Sequence, residues 1–154
     1  MKTGALILTL LITFCTLGHG QVPDANYDIW ISVDQYIGKR VGTGLCGEMV
    51  DSVLINTNLG VPDSGRAGYY HYTLEKDETV YPGDIISFKG AVIGSREYPD
   101  HIAIVYAIKN PNAYYIVHQN VDVDSLKDSR VVVTLLKMKK KKKGSVEFHR
   151  VLNI

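Results

Sequence analysis

Apolar positions recur at helical spacing in the first third of the chain and alternate with polar ones after it. Ile29, Val33, Tyr36 and Ile37 fall on one helical face. Asn26-Tyr27-Asp28 offers caps before them, which predicts a helix over 29–38 that stops at Gly38. Met49, Val50, Val53 and Leu54 form a second stripe, with Glu48, Asp51 and Ser52 facing away. This predicts a helix over 46–58, closed by Asn58-Leu59-Gly60 and Pro62.

The segment 62–78 is irregular and rich in Gly and Tyr. Strand patterns follow at 84–88, 101–108, 113–121, 131–138 and 145–151, with turns at Pro82-Gly83 and Asn110-Pro111-Asn112. The connections are too short for helical crossovers, so consecutive strands pair as an antiparallel meander. The expected fold class is α+β: N-terminal helices packed on an antiparallel sheet of about five strands.

Composition adds a compartment. Lys2 followed by a nearly unbroken apolar run over 5–17, then Gly18-His19-Gly20, reads as a secretory signal over 1–20. The run is shorter than the roughly 18 residues a membrane span needs, and no second such stretch follows. The expected mature chain, 21–154, is one secreted, extracellular domain of 134 residues, long enough to bury a core without disulfides. Cys15 leaves with the signal, so Cys46 stands alone and no internal disulfide is possible.

The mature chain balances 16 basic against 16 acidic residues, but six of the basic ones are Lys137, Lys139, Lys140, Lys141, Lys142 and Lys143. Such a run reads as a solvated hairpin loop; it also fits attraction to an anionic bacterial surface. A nuclear destination conflicts with the signal, and no nucleic-acid partner is expected.

Candidate chemistry centres on Cys46, in the run Gly44-Leu45-Cys46-Gly47-Glu48 at a predicted helix start. The partial positive charge and unpaired N–H groups of a helix N-terminus favour thiolate over thiol, and can take a cysteine pKa from about 8.5 into a range of roughly 3.5–7.5. His101 opens an apolar strand, and His118 and Asn120 end the next, on one face if alternation holds, with Gln119 on the other. Pairing about Asn110-Pro111-Asn112 brings these groups to one edge of the sheet. The set suits acyl chemistry. The thiolate attacks, and His101 holds the proton in a resting ion pair and delivers it to the leaving amine. A third polar group fixes the imidazole tautomer, and backbone N–H groups at the helix start, that of Cys46 included, stabilise the oxyanion.

Gly44-Leu45-Cys46-Gly47-Glu48-Met49-Val50, Pro82-Gly83-Asp84-Ile85-Ile86-Ser87-Phe88, Asp100-His101-Ile102-Ala103-Ile104-Val105 and Tyr115-Ile116-Val117-His118-Gln119-Asn120 follow one another in order. Over about 27–150 the chain resembles the CHAP family of cysteine, histidine-dependent amidohydrolases and peptidases and its NlpC-type relatives. The resemblance implies a papain-like fold and cleavage of amide bonds in bacterial peptidoglycan. It implies Cys46 as nucleophile and His101 as general base and acid. CHAP members usually carry an acidic residue where His118 stands, followed two residues later by asparagine, here Asn120; NlpC-type members often use histidine as the third residue. His118 is therefore the expected orienter, with Asn120 as a second polar support. Asp100 stands where glycine is common, and a carboxylate there favours charged His101.

Other readings stand beside this one. A lone cysteine on an apolar helix is also a small core residue. A non-catalytic binding module with the same fold accommodates the missing acid at position 118, and a protein-directed cysteine protease or transglutaminase-like enzyme uses the same groups. His71 reads as structural or substrate-lining and His149 as solvated. Tyr69, Tyr70 and Tyr72 form the wall of a groove or fill space between helix and sheet. The histidines lack metal-ligand spacing, so no metal or cofactor is expected, and a monomer is.

Overall fold

The computed structural model describes residues 22–59, 71–120 and 128–152. The signal at 1–20, Tyr69, Tyr70 and Val121 lie outside the described residues. The helix α1 (Asp24–Val33) runs into a 3-10 turn (Asp34–Tyr36), and α2 covers Cys46–Asn56. Six strands follow: β1 (His71–Thr73), β2 (Ile85–Ile93), β3 (Arg96–Asn110), β4 (Ala113–His118), β5 (Val132–Lys137) and β6 (Lys141–Val151). They form one antiparallel sheet in the order β1-β6-β2-β3-β4-β5. The fold is α+β, with six strands where five were expected.

Strand alternation gives the sheet two buried faces. Ile85, Ile104, Val117 and Val151 point toward the helices and pack with Ile29, Val33, Met49, Val50, Val53 and Leu54. Ile86, Phe88, Tyr98, Ala103, Val105, Tyr114, Ile116 and Leu136 line the other face. No described helix covers that second face, so its burial comes from the sheet curling over itself, with Val80, Met138 and Phe148 closing it.

Several boundaries depart from expectation for local reasons. α1 starts five residues early because Asn26 is not its cap. Its side chain is buried in the helix and donates to Asp84 Oδ1 at 2.7 Å and to the Pro82 carbonyl at 3.1 Å. α2 ends at Asn56; Asn58 takes a left-handed φ of 58° and the Leu59 N–H bonds the Leu54 carbonyl, a Schellman closure. β2 and β3 continue through a tight hairpin turn at Gly94 and Ser95, so strand fills most of 89–100, between the strands expected at 84–88 and 101–108.

The lysine run is not simply a loop. Met138–Lys140 form a 3-10 turn, and Lys141 and Lys143 already pair with Ile93 and Val92. The two strands touch where Gly144 (φ 75°) crosses Gly90; a Cβ on Gly144 would lie 2.3 Å from the Gly90 carbonyl oxygen. β1, read as irregular, is held to β6 by backbone pairing while all three of its residues stay exposed.

One buried ion pair fixes α1 to the sheet. Arg150 on β6 grips the fully buried Asp84 through Nε at 3.0 Å and an Nη at 2.9 Å, while the Tyr81 N–H and Asn26 donate to the same carboxylate. Removing one partner of a buried pair leaves an uncompensated charge. Asp84→Ala is expected to destabilise the fold by about 3–5 kcal/mol in urea unfolding, against under 1 kcal/mol for a change at the exposed Lys142.

Candidate active site

The turn before α2 is built around Glu48. Its Oε2 accepts the N–H groups of Thr43 (2.8 Å), Gly44 (3.2 Å) and Leu45 (3.2 Å) and the Thr43 hydroxyl (2.8 Å). The Leu45 contact is the carboxylate half of a capping box. Desolvation is the largest single influence on the Glu48 pKa and pushes it up, but the bonds from Thr43, Leu45 and Gly44 together outweigh it and hold the carboxyl below its ordinary value. Gly42 makes room: at φ 54°, a Cβ there would sit 2.8 Å from the carboxylate. Glu48 thus occupies the donors just outside the helix. The N–H groups of Cys46 and Gly47, the first two helical residues, have no intrahelical acceptor.

Cys46 is the first residue of α2 and is half-buried. Its turn is fastened to the sheet by Gln119, which is fully buried. Gln119 Oε1 accepts the Val41 N–H at 2.7 Å, and its Nε2 donates to the carbonyls of Val41 (3.0 Å) and Leu45 (3.2 Å). Ser129 adds a second tie: its hydroxyl donates to the Gly44 carbonyl at 3.0 Å and accepts the Asn120 N–H at 2.7 Å.

His101 and His118 meet on the face away from the helices. Nε2 of His101 and Nδ1 of His118 share a hydrogen bond at 2.9 Å, and His118 Nε2 shares another with the Thr134 hydroxyl at 2.7 Å. The rings pack edge to face, 5.2 Å between centroids, and Phe88 and Tyr98 flank His101. Burial is the largest influence on both. It takes His101 from 6.5 to about 4, against the raising effect of Asp100 and with a smaller lowering effect from Arg96. It takes His118 to about 3, helped by His101 and Arg96. Both rings are neutral near pH 7. The resting thiolate–imidazolium pair expected from sequence is therefore disfavoured at the His101 end, because burial outweighs Asp100.

The structure brings His101 and His118 together but leaves two other members apart. The Cys46 thiol makes no hydrogen bond to either imidazole. Ile102, Ile104 and Tyr106 are the β3 side chains that face the helices, whereas His101 points to the opposite face with Ala103 and Val105. At the end of β4, Gln119 ties the Cys46 turn to the strand that carries His118. Asn120 lies beyond the strand with φ 62°, and its side chain bonds neither histidine.

Sequence reasoning missed Thr134, Gln119 and Ser129. For Gln119, strand alternation gives a direction but no partner. His149, expected to be solvated, is buried: β1 covers it, and it bonds Thr73 through Nδ1 at 3.1 Å and Ser87 through Nε2 at 2.8 Å. A cavity of about 630 Å³ lies elsewhere, lined by Val80, Ile108, Tyr114, Val146 and Phe148 under Glu75 and Glu147. Neither His101 nor His118 lines it, although its Val146 pairs with Phe88, which in turn pairs with His101.

Two outcomes follow from this geometry. The folded pKa values of His101 and His118 lie below the unfolded 6.5, so the unfolded chain binds more protons between about pH 6.5 and 3. Their contribution is complete above pH 6.5 and drains away as pH falls through the folded values. The melting temperature is expected to drop across that window, and His118→Phe should flatten the dependence. Separately, Gln119→Leu leaves the buried Val41 N–H without its acceptor, at about 1–3 kcal/mol, while the Val41 carbonyl keeps the Gly44 N–H. Faster hydrogen exchange at the Val41 amide is the expected readout.

Comparison with protein-family models, with curated proteins and with solved structures found no match.

Proposed function

We propose that this chain is a secreted, papain-like cysteine hydrolase that cleaves amide bonds in bacterial peptidoglycan, as an amidase or endopeptidase. The observation that carries the proposal is the hydrogen-bonded His101–His118–Thr134 chain, whose buried middle member, His118, directly precedes Gln119, the residue that fastens the Cys46 turn. In this reading the Cys46 thiol gives its proton to Nδ1 of His101 as sulfur bonds to the amide carbon. The carbonyl oxygen takes the negative charge and is met by the N–H groups of Cys46 and Gly47. Collapse breaks the C–N bond, and the proton on His101 passes to the departing amine. Water, with His101 now taking its proton, hydrolyses the thioester. Catalytic hydrogen bonds often tighten only with substrate in place, and the thiol–imidazole contact is one that substrate must bring about here.

A second reading has its own observation. With no thiol–imidazole bond and two neutral rings facing away from α2, the chain also fits a binding module that uses the same fold without turnover.

Incubating purified cell walls with native protein and with Cys46→Ala separates the two. The hydrolase reading expects soluble peptides with new termini from the native protein only. Equal release from both, or none from either, favours the binder.

The exposed lysines at 139–143 support contact with an anionic envelope. Glutamine at all five positions is expected to weaken sedimentation with bacterial cells at low salt, with the gap closing as the Debye length shrinks to about 8 Å at physiological ionic strength.

A further inference from the structure

We propose that Thr134 is a positioning residue: by accepting a hydrogen bond from His118 it sets the direction of bonding along the histidine pair and leaves Nδ1 of His101 free to accept a proton. The inference rests on the hydrolase reading for its consequence but not for its geometry.

A neutral imidazole carries one N–H, so the chain Thr134 Oγ1–His118 Nε2, His118 Nδ1–His101 Nε2 has only two consistent arrangements. In the first, His101 donates from Nε2 to His118 Nδ1, and His118 donates from Nε2 to the Thr134 oxygen. His101 Nδ1 then holds a lone pair. In the second, every bond reverses: the Thr134 hydroxyl donates, His118 donates from Nδ1, and His101 carries its proton on Nδ1, where it cannot act as a base.

Two features favour the first arrangement. It places both rings in the Nε2–H form, the tautomer a histidine side chain prefers in water, whereas the reverse needs the less stable form twice. It also asks Thr134 only to accept. The residue is half-buried on β5, so its own hydroxyl proton can turn toward water. The charged groups that act on the pair are Asp100 and Arg96 at His101, and Arg96 at His118; the other close neighbours are the rings of Phe88 and Tyr98. Burial keeps both rings neutral, so the one-proton count applies at working pH. When His101 accepts a proton, its Nε2–H still donates to His118 and His118 still donates to Thr134. No bond has to reverse during the cycle.

The test is ¹⁵N-NMR of the histidine rings in native protein, Thr134→Val and Thr134→Ser, at pH 7. Native protein and Thr134→Ser are expected to show Nε2 protonated on both rings. Thr134→Val keeps the side-chain shape but removes the acceptor, and is expected to move His118, and His101 with it, toward Nδ1–H. Wall hydrolysis by Thr134→Val should fall about tenfold in kcat, the loss of one hydrogen bond, with KM unchanged and with recovery in Thr134→Ser. Unchanged tautomers in Thr134→Val, or Nδ1–H rings in the native protein, overturn the proposal. If no variant hydrolyses walls, the hydrolase reading fails while the ring spectra still decide the role of Thr134.

Discussion

Side chains on a strand alternate, and at the end of β4 that rule sends consecutive residues to opposite sides of the sheet. His118 enters the aromatic face and bonds His101; Gln119 enters the helix face and bonds the turn before Cys46. Everything proposed for the site depends on this two-residue junction. It joins a thiol carried by a helix to an imidazole carried by a strand, although the two belong to different layers.

The electrostatics of the pair follow from the fact that, among the described residues, no carboxylate bonds either ring. An acid at the third position would hold His101 protonated and its partner thiol ionised. Here the third residue is a neutral ring, Asp100 acts only as a neighbouring charge, and burial among Phe88, Tyr98 and His118 wins. In the hydrolase reading, proton transfer then has to accompany attack rather than precede it. Thiols tolerate this better than hydroxyls, because a thiol is intrinsically a strong nucleophile and loses its proton readily. A relay of neutral dipoles can support the transient imidazolium, since hydrogen bonds gain strength in a low-dielectric interior.

The sequence made the helix start at Cys46, the α+β class and the meander of β2 to β5 legible, because hydrophobic period and turn residues act locally; it placed the last strand beside β5, whereas β6 crosses the sheet to lie between β1 and β2. It did not reveal α1's true start, since Asn26 is claimed by Asp84, 58 residues away. It did not reveal β1, whose exposed residues carry no apolar pattern and are held by backbone pairing with β6. His101 and His118 were legible as a pair through strand spacing. Thr134 was not, because only the pairing of β4 with β5 places Thr134 opposite Ile116 and so within reach of His118. Asn120 misled for a geometric reason: alternation was extended past His118, where the backbone has already turned left-handed.

Each helix is held by an apolar stripe and one polar clamp, and the two do different work. The stripe of Met49, Val50, Val53 and Leu54 supplies most of the affinity of α2 for the sheet, but apolar burial is non-directional. A helix could slide by one residue, about 1.5 Å, and keep much of it. Gln119 permits no such slide, since its three bonds of 2.7–3.2 Å fix where the chain between Val41 and Leu45 must lie. The Asp84–Arg150 pair with Asn26 does the same for α1. A misplacement of about 1 Å at a reacting centre can cost a hundredfold in rate. The position of the sulfur is therefore set by a buried amide more than by the core beneath it, and in the hydrolase reading a mutation at Gln119 lowers turnover before it unfolds the protein.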